Sequence, residues 1–252
     1  MRTPASITTG KVPQVTVVFW ILKVAATTLG ETGGDAVSMS LGLGYLVASG
    51  LFLAIFIVAV VAQVRATRFH PWLYWLTIVA TTTVGTTMAD FADRSLGIGY
   101  AGGSTLLLAL VLASLAVWYR AIGSVSIHHI VTPRAEWFYW VTIMFSQTLG
   151  TALGDWTADD AGLGYFGSAM IFGGLLAAIA VVYSVTRVSR TLLFWMAFVL
   201  TRPLGAALGD FLDKPLDDGG LALSRYSATA VLLAFMALCI WLVPQRPAET
   251  RN

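Results

Sequence analysis

Four aspartates, Asp35, Asp90, Asp155 and Asp210, follow one another at intervals of 55, 65 and 55 residues, each five residues after a glycine (Gly30, Gly85, Gly150, Gly205) and near the end of an apolar stretch. Carboxylates gathered at one level repel, so such a set either holds protons or is kept ionised by a cation. All-oxygen donors suit hard or borderline divalent ions such as calcium, magnesium or manganese. The residue before each aspartate is small, Gly34, Ala89, Gly154 or Gly209, which permits close helix contact or close ligand approach. A plainer role stays open, in which the four merely end helices at an interface.

Secondary acids follow only in alternate units. Asp93 and Asp213 come three residues after Asp90 and Asp210, where the other units have Ser38 and Ala158. Stepping back along each segment by four residues keeps roughly to one helical face and gives three further levels. These are Glu31, Thr86, Thr151, Ala206, then Thr27, Thr82, Gln147, Arg202, then Lys23, Ile78, Ile143, Phe198. Lys23 and Arg202 are charges deep in apolar segments, and such charges mark a functional site or an internal ion pair. Glu31 is the natural counter-charge. It stands two turns from Lys23, roughly 12 Å along the axis, so the two are not expected to pair within one helix; Arg202 with Glu31, or Lys23 with a backbone carbonyl, would need contact across the bundle. Lys23 is open to snorkelling toward an interface.

These residues recur because the chain is built of repeats. The glycine-to-aspartate anchors read TTLGETGGD, TTTVGTTMAD, QTLGTALGD and RPLGAALGD, and three units close on Gly-x-Gly-Tyr, at Gly42, Gly44 and Tyr45, Gly97, Gly99 and Tyr100, and Gly162, Gly164 and Tyr165. Repeats of this length outrank other signals. They divide a single domain, 1–252, into units 12–66, 70–121, 132–187 and 189–244, with half-repeats 12–121 and 132–244.

Composition fixes the class. Apolar residues make up 57% and charged residues 11%, and the mean hydropathy is +0.78, far from a soluble balance. Eight stretches, 14–36, 44–64, 72–92, 99–119, 135–156, 164–186, 191–212 and 226–243, are long enough to cross a bilayer. The expected fold is an all-α integral membrane protein of eight transmembrane helices, four tandem parallel helical-hairpin repeats with pseudo-fourfold symmetry built as two halves of two. The odd helices should line the centre and the even ones face lipid. Arg2, Lys11, Arg65, Arg68, Arg120, Arg134, Arg187, Arg190, Arg246 and Arg251 fall on one side, and eleven carboxylates with only Arg94, Lys214 and Arg225 on the other. By the positive-inside rule both termini are cytoplasmic, in the inner (plasma) membrane. Trp72, Trp75, Trp137, Trp140 and Trp195 read as an interfacial belt.

Several functions find no support. The net charge of +2 is accounted for by this asymmetry, so no nucleic-acid partner is expected, and Cys239 has no disulfide partner. No nucleotide loop, Ser/His/Asp set or zinc spacing occurs, so an enzyme is not expected. His128 and His129 sit in the connector between halves, and Gly30/Gly34, Gly150/Gly154 and Gly205/Gly209 read as helix-packing motifs.

The four TxxG…D units resemble a largely uncharacterised family of bacterial inner-membrane proteins, over nearly the whole chain. Glu31-Thr32-Gly33-Gly34-Asp35 is also weakly similar to the Glu-x-Gly-Asp signature of calcium/manganese-proton exchangers, with one residue too many and with Ala36 and Val37 in place of the basic and hydroxyl residues. The residues together give an expectation of a transporter for a divalent cation, manganese or calcium, coupled to protons. The metal would be held by Asp35, Asp90, Asp155 and Asp210. Thr27, Thr82, Gln147, Glu31, Asp93 and Asp213 would lie along the pathway, with Lys23 and Arg202 as switching counter-charges. A non-transporting sensor or assembly partner and a gated cation channel are the alternatives, and a homo-oligomer fits any of them.

Overall fold

The computed structural model describes residues 10–248; Arg2 and Arg251, counted above for orientation, lie outside the described residues. Eight long helices follow in order: α1 Val17–Asp35, α2 Gly44–Arg65, α3 Pro71–Asp90, α4 Tyr100–Ile122, α5 Pro133–Asp155, α6 Gly164–Val185, α7 Arg190–Asp213 and α8 Arg225–Leu242. Local signals set their starts. Thr16, Thr132 and Ser189 cap α1, α5 and α7 by accepting a backbone N–H, and proline opens α3 and α5, where its missing N–H costs nothing.

The odd helices form a closed inner ring, with α1 on α3, α3 on α5, α5 on α7 and α7 back on α1. Their contact faces are dictated by glycine. Gly30 faces Thr82, Gly85 faces Gln147, Gly150 faces Arg202 and Gly205 faces Thr27, so each unit's anchor glycine receives the next unit's side chain in cyclic order. The small residue one turn further on repeats the contact, with Gly34 on Thr86, Gly154 on Ala206 and Gly209 on Glu31. The helix-packing reading of these glycines is thereby accounted for residue by residue.

An aromatic ring of the same order closes the other end of the inner helices. Phe19 meets Trp75 at 5.6 Å, Tyr74 meets Trp140 at 5.7 Å, Tyr139 meets Trp195 at 6.2 Å and Phe194 meets Trp20 at 5.9 Å between ring centroids. All four odd helices therefore run in one direction, aromatic residues at their starts and aspartates at their ends. Trp75, Trp140 and Trp195 are buried in this core, which overturns their assignment to an interfacial belt. The indole of Trp75 donates to Gln245 (2.7 Å) and that of Trp195 to the Val125 carbonyl (2.9 Å), so the polar edge is satisfied inside. Trp72 and Trp137 do remain exposed.

The hairpins expected within each unit are open. Each even helix packs on the odd helix of the following unit, α2 on α3, α4 on α5, α6 on α7 and α8 on α1, whereas the two helices of one unit barely touch. The connection explains this. In the first three units a five-residue π-helical turn extends the odd helix (Ala36–Ser40, Phe91–Ser95, Trp156–Asp160) before the chain reverses. The Gly-x-Gly pairs then adopt positive φ, +67 and +74°, +70 and +75°, and +69 and +65°, a region open to glycine at little cost, and carry the next helix over its neighbour. The interlock ties every unit to the next.

Five helices, α2, α4, α6, α7 and α8, are long and apolar enough to cross a membrane. The outer ones turn Leu46, Val58, Leu106, Leu112, Met170 and Val231 outward, an apolar surface of the kind that calls for lipid or protein cover. Several long apolar helices are compatible with a membrane protein.

Candidate ion site

Two charged levels cross the centre of the ring. At the deeper one Arg202, fully buried on α7, reaches three other units at once. The two N–H groups of its Nη2 are shared among three acceptors within hydrogen-bond distance, Glu31 Oε2 (2.8 Å), Thr86 Oγ1 (2.6 Å) and Thr151 Oγ1 (2.5 Å). Glu31, Thr86 and Thr151 are the level above Arg202 in the helical register, and the length of the arginine spans the step. Glu31 is thus the counter-charge of Arg202, across the bundle. Thr27 and Thr82 have different work. Thr27 Oγ1 lies 3.1 Å from the Thr201 carbonyl and Thr82 Oγ1 donates to the Ala26 carbonyl at 3.3 Å, so both hydroxyls are spent at helix seams. Lys23 is fully buried with its Nζ 4.3 Å above the Phe198 ring; it does not snorkel, because the aromatic layer and the terminal segments lie between it and that end of the bundle. Gln147 is also fully buried.

The outer level holds Asp35, Asp90, Asp155 and Asp210, all buried. Two cations bridge them pairwise. Arg94 contacts Asp90 Oδ1 (3.1 Å) and Asp155 Oδ2 (3.4 Å), and Lys214 contacts Asp35 Oδ2 and Asp210 Oδ1, both at 2.9 Å. Burial alone would lower the Lys214 pKa, but Asp210 and Asp35 outweigh it and hold the ammonium well above the ordinary lysine range. Arg94 is held protonated in the same way by Asp90 and Asp155, against its own burial.

Asp213 is paired through Oδ2 with Arg225 at 3.2 Å, and Arg225 also approaches Asp35 at 3.7 Å. Asp93, its counterpart in the second unit, has no such partner. Its carboxylate sits against Gly103 of α4, and neither oxygen has a hydrogen-bond partner among the described residues. Burial pushes Asp93 up to about 6 against the pull of Arg94.

Arg94, Lys214 and Arg225 meet the aspartate level, whereas the sequence places them only in the charge asymmetry between the two sides. A signal existed for two of them. Asp90-Phe-Ala-Asp93-Arg94 and Asp210-Phe-Leu-Asp213-Lys214 repeat 120 positions apart, and a cation four residues after an acid is its helical neighbour. Arg225 begins a different helix and only folding brings it in. The carboxylates of Glu31, Asp155 and Asp210 offer oxygens all within 4.8 Å of one another, as do those of Asp35, Asp210 and Asp213. Asp210 belongs to both groups.

Four segments, residues 18–69, 73–123, 138–189 and 193–246, match the family described as Repeat of Unknown Function (DUF347). The chain belongs to this family. Each DUF347 repeat carries one inner helix, its aspartate and the following outer helix, so the interlock described above joins one repeat to the next. No curated protein and no solved structure matches the chain. The buried charged cluster is built by all four DUF347 repeats together, since Arg202 alone touches residues from the other three.

Proposed function

We propose that this chain is a membrane carrier for a divalent cation, manganese or calcium, taken up by carboxylates of the repeat ends from the non-cytoplasmic side of the inner membrane, with both termini cytoplasmic. The observation that carries the reading is the buried convergence of Glu31, Asp155 and Asp210 on one small volume. Oxygens from three different repeats at that spacing match what a hard cation needs. Glu31, the ring aspartates, Asp93 and Asp213 outnumber their protein cations Arg94, Lys214, Arg202 and Arg225, which leaves the site with excess negative charge for a cation or protons.

In this mechanism Lys214 and Arg94 act as stand-ins. Each holds two aspartates while no cargo is present and swings aside when the cation arrives. Arg202 fixes Glu31 at the inner boundary and blocks through-flow, which favours a carrier over an open channel. Protons taken up by the carboxylates would release the ion, giving exchange. The site residues at issue are Asp35, Asp90, Asp155 and Asp210 with Glu31.

A second reading has its own observation. Every ring aspartate already has a protein cation within 3.4 Å, as expected of a non-transporting scaffold that binds partner chains through its apolar outer helices. Flux into proteoliposomes separates the two, with manganese, calcium, magnesium and sodium tested singly, with and without a proton gradient. Flux that disappears in a folded Asp35→Asn/Asp90→Asn/Asp155→Asn/Asp210→Asn variant supports the carrier. Absence of flux for every ion in folded parent protein supports the scaffold.

A further inference from the structure

The slice of the bundle below the Glu31–Arg202 pair holds several buried donors without partners, and its unpartnered acceptors, Thr142 Oγ1, Ser146 Oγ and Gln147 Oε1, are all neutral. Lys23 Nζ is fully buried and has no hydrogen-bond partner among the described residues. Its one close neighbour of note is the face of Phe198, 4.3 Å away, and Phe198 lies one turn before Arg202 on α7. Arg202 spends only Nη2 on its three acceptors; its Nε and Nη1 are buried without a partner. Gln147 lies one turn before Thr151, the residue the guanidinium touches, and both ends of its amide are buried and unpartnered. Among the described residues no carboxylate belongs to this slice. Glu31 is two turns above Lys23, roughly 12 Å by helical rise, and already holds Arg202.

A buried ammonium gains less from the face of an aromatic ring than removing its charge from water costs. Unpartnered donors of Lys23, Arg202 and Gln147 thus lie on adjacent levels of the inner helices, about one helical turn apart, and a protonated Lys23 leaves one net positive charge among them. What satisfies such a set is a compact acceptor that carries negative charge.

We propose that this slice binds a small monovalent anion of chloride size, held by Lys23 Nζ, the Nε and Nη1 groups of Arg202 and the Gln147 amide. It is a second ligand site, distinct from the carboxylate levels above and of opposite sign. The anion neutralises Lys23 and locks the inner ends of α1, α5 and α7 together. Anion binding here is independent of cation transport.

The test is thermal unfolding of the purified full chain in detergent, followed by tryptophan fluorescence, at constant pH and ionic strength with gluconate replaced stepwise by chloride, bromide or nitrate. A saturable rise of several degrees is expected for the parent. Lys23→Met should abolish that rise while unfolding at least as high as the parent in gluconate, because it removes the charge that needed cover. Asp210→Asn, altered only at the outer level, should keep the anion response. A parent whose midpoint is the same in all four salts would overturn the proposal and indicate a neutral Lys23 amine or water in that slice. So would a Lys23→Met protein that retains the full response.

Discussion

Replacing Arg202 by methionine should be the most damaging single change to the inner ring, and the structure says why. The substitution leaves Glu31, which is 2% exposed, as a buried carboxylate without its cation. Removing one partner of a buried pair costs about 3–5 kcal/mol. The threonines add little to this. Thr86 Oγ1 also lies 3.2 Å from the carbonyls of Gly30 and Thr82, so its hydroxyl keeps an acceptor, and Thr151 can turn to the carbonyl one turn back on its own helix. Lys23 cannot substitute for the guanidinium. At roughly 12 Å and an effective dielectric of about 20 its attraction for Glu31 is about 1.4 kcal/mol, less than half the loss. For a chain of this size about 2–4 °C accompanies each kcal/mol, so the unfolding midpoint of Arg202→Met should fall by about 6–20 °C. The double variant Arg202→Met/Glu31→Gln removes both charges and keeps an acceptor for Thr86; it should recover most of the loss. Tryptophan fluorescence reports the transition, since Trp75, Trp118 and Trp140 are each about 1% exposed. A single variant as stable as the parent, or a double variant no better than the single, would refute the pairing as the source of stability.

Two further outcomes follow from the same geometry. A Cβ on Gly205 would lie 2.8 Å from the backbone carbonyl carbon of Thr27, so Gly205→Ala must push α7 off α1 and should cost about 1–3 kcal/mol, whereas Gly50→Ala on the outer face of α2, where nothing lies within 4 Å, should be neutral or slightly stabilising; equal midpoints for the two would contradict the seam. Asp93 is held near 6 by burial, above the ordinary aspartate value of about 3.9, so the folded chain binds its proton more tightly than the unfolded chain. Its contribution is complete below pH about 4 and is lost as pH rises through about 6. Asp93→Asn should therefore flatten the fall in midpoint across that window and leave the protein more stable than the parent at pH 7.5, and parallel pH profiles for the two would be the contrary result.

The periodic features of this chain were legible in the sequence because duplication writes them at fixed intervals. Asp35, Asp90, Asp155 and Asp210 announced one level, the GxxxG pairs announced close helix packing, and the lone deep acid Glu31 announced a counter-charge for one of the two deep cations. Each rests on register along a single helix, and a helix's register can be counted from sequence alone. What lies between helices could not be counted. That α2 docks on α3 rather than on α1 depends on how a π-turn and two left-handed glycines aim the chain. That Trp75 and Trp140 point into the core rather than to an interface depends on the rotation of parallel helices about a common axis. Arg94 and Lys214 were visible as neighbours of their own aspartates, but their second partners, Asp155 and Asp35, belong to other repeats. The levels and the charges on them can be read along the chain; which charges meet is set by folding, because an ion pair is made by distance across the bundle and the chain encodes distance only along itself.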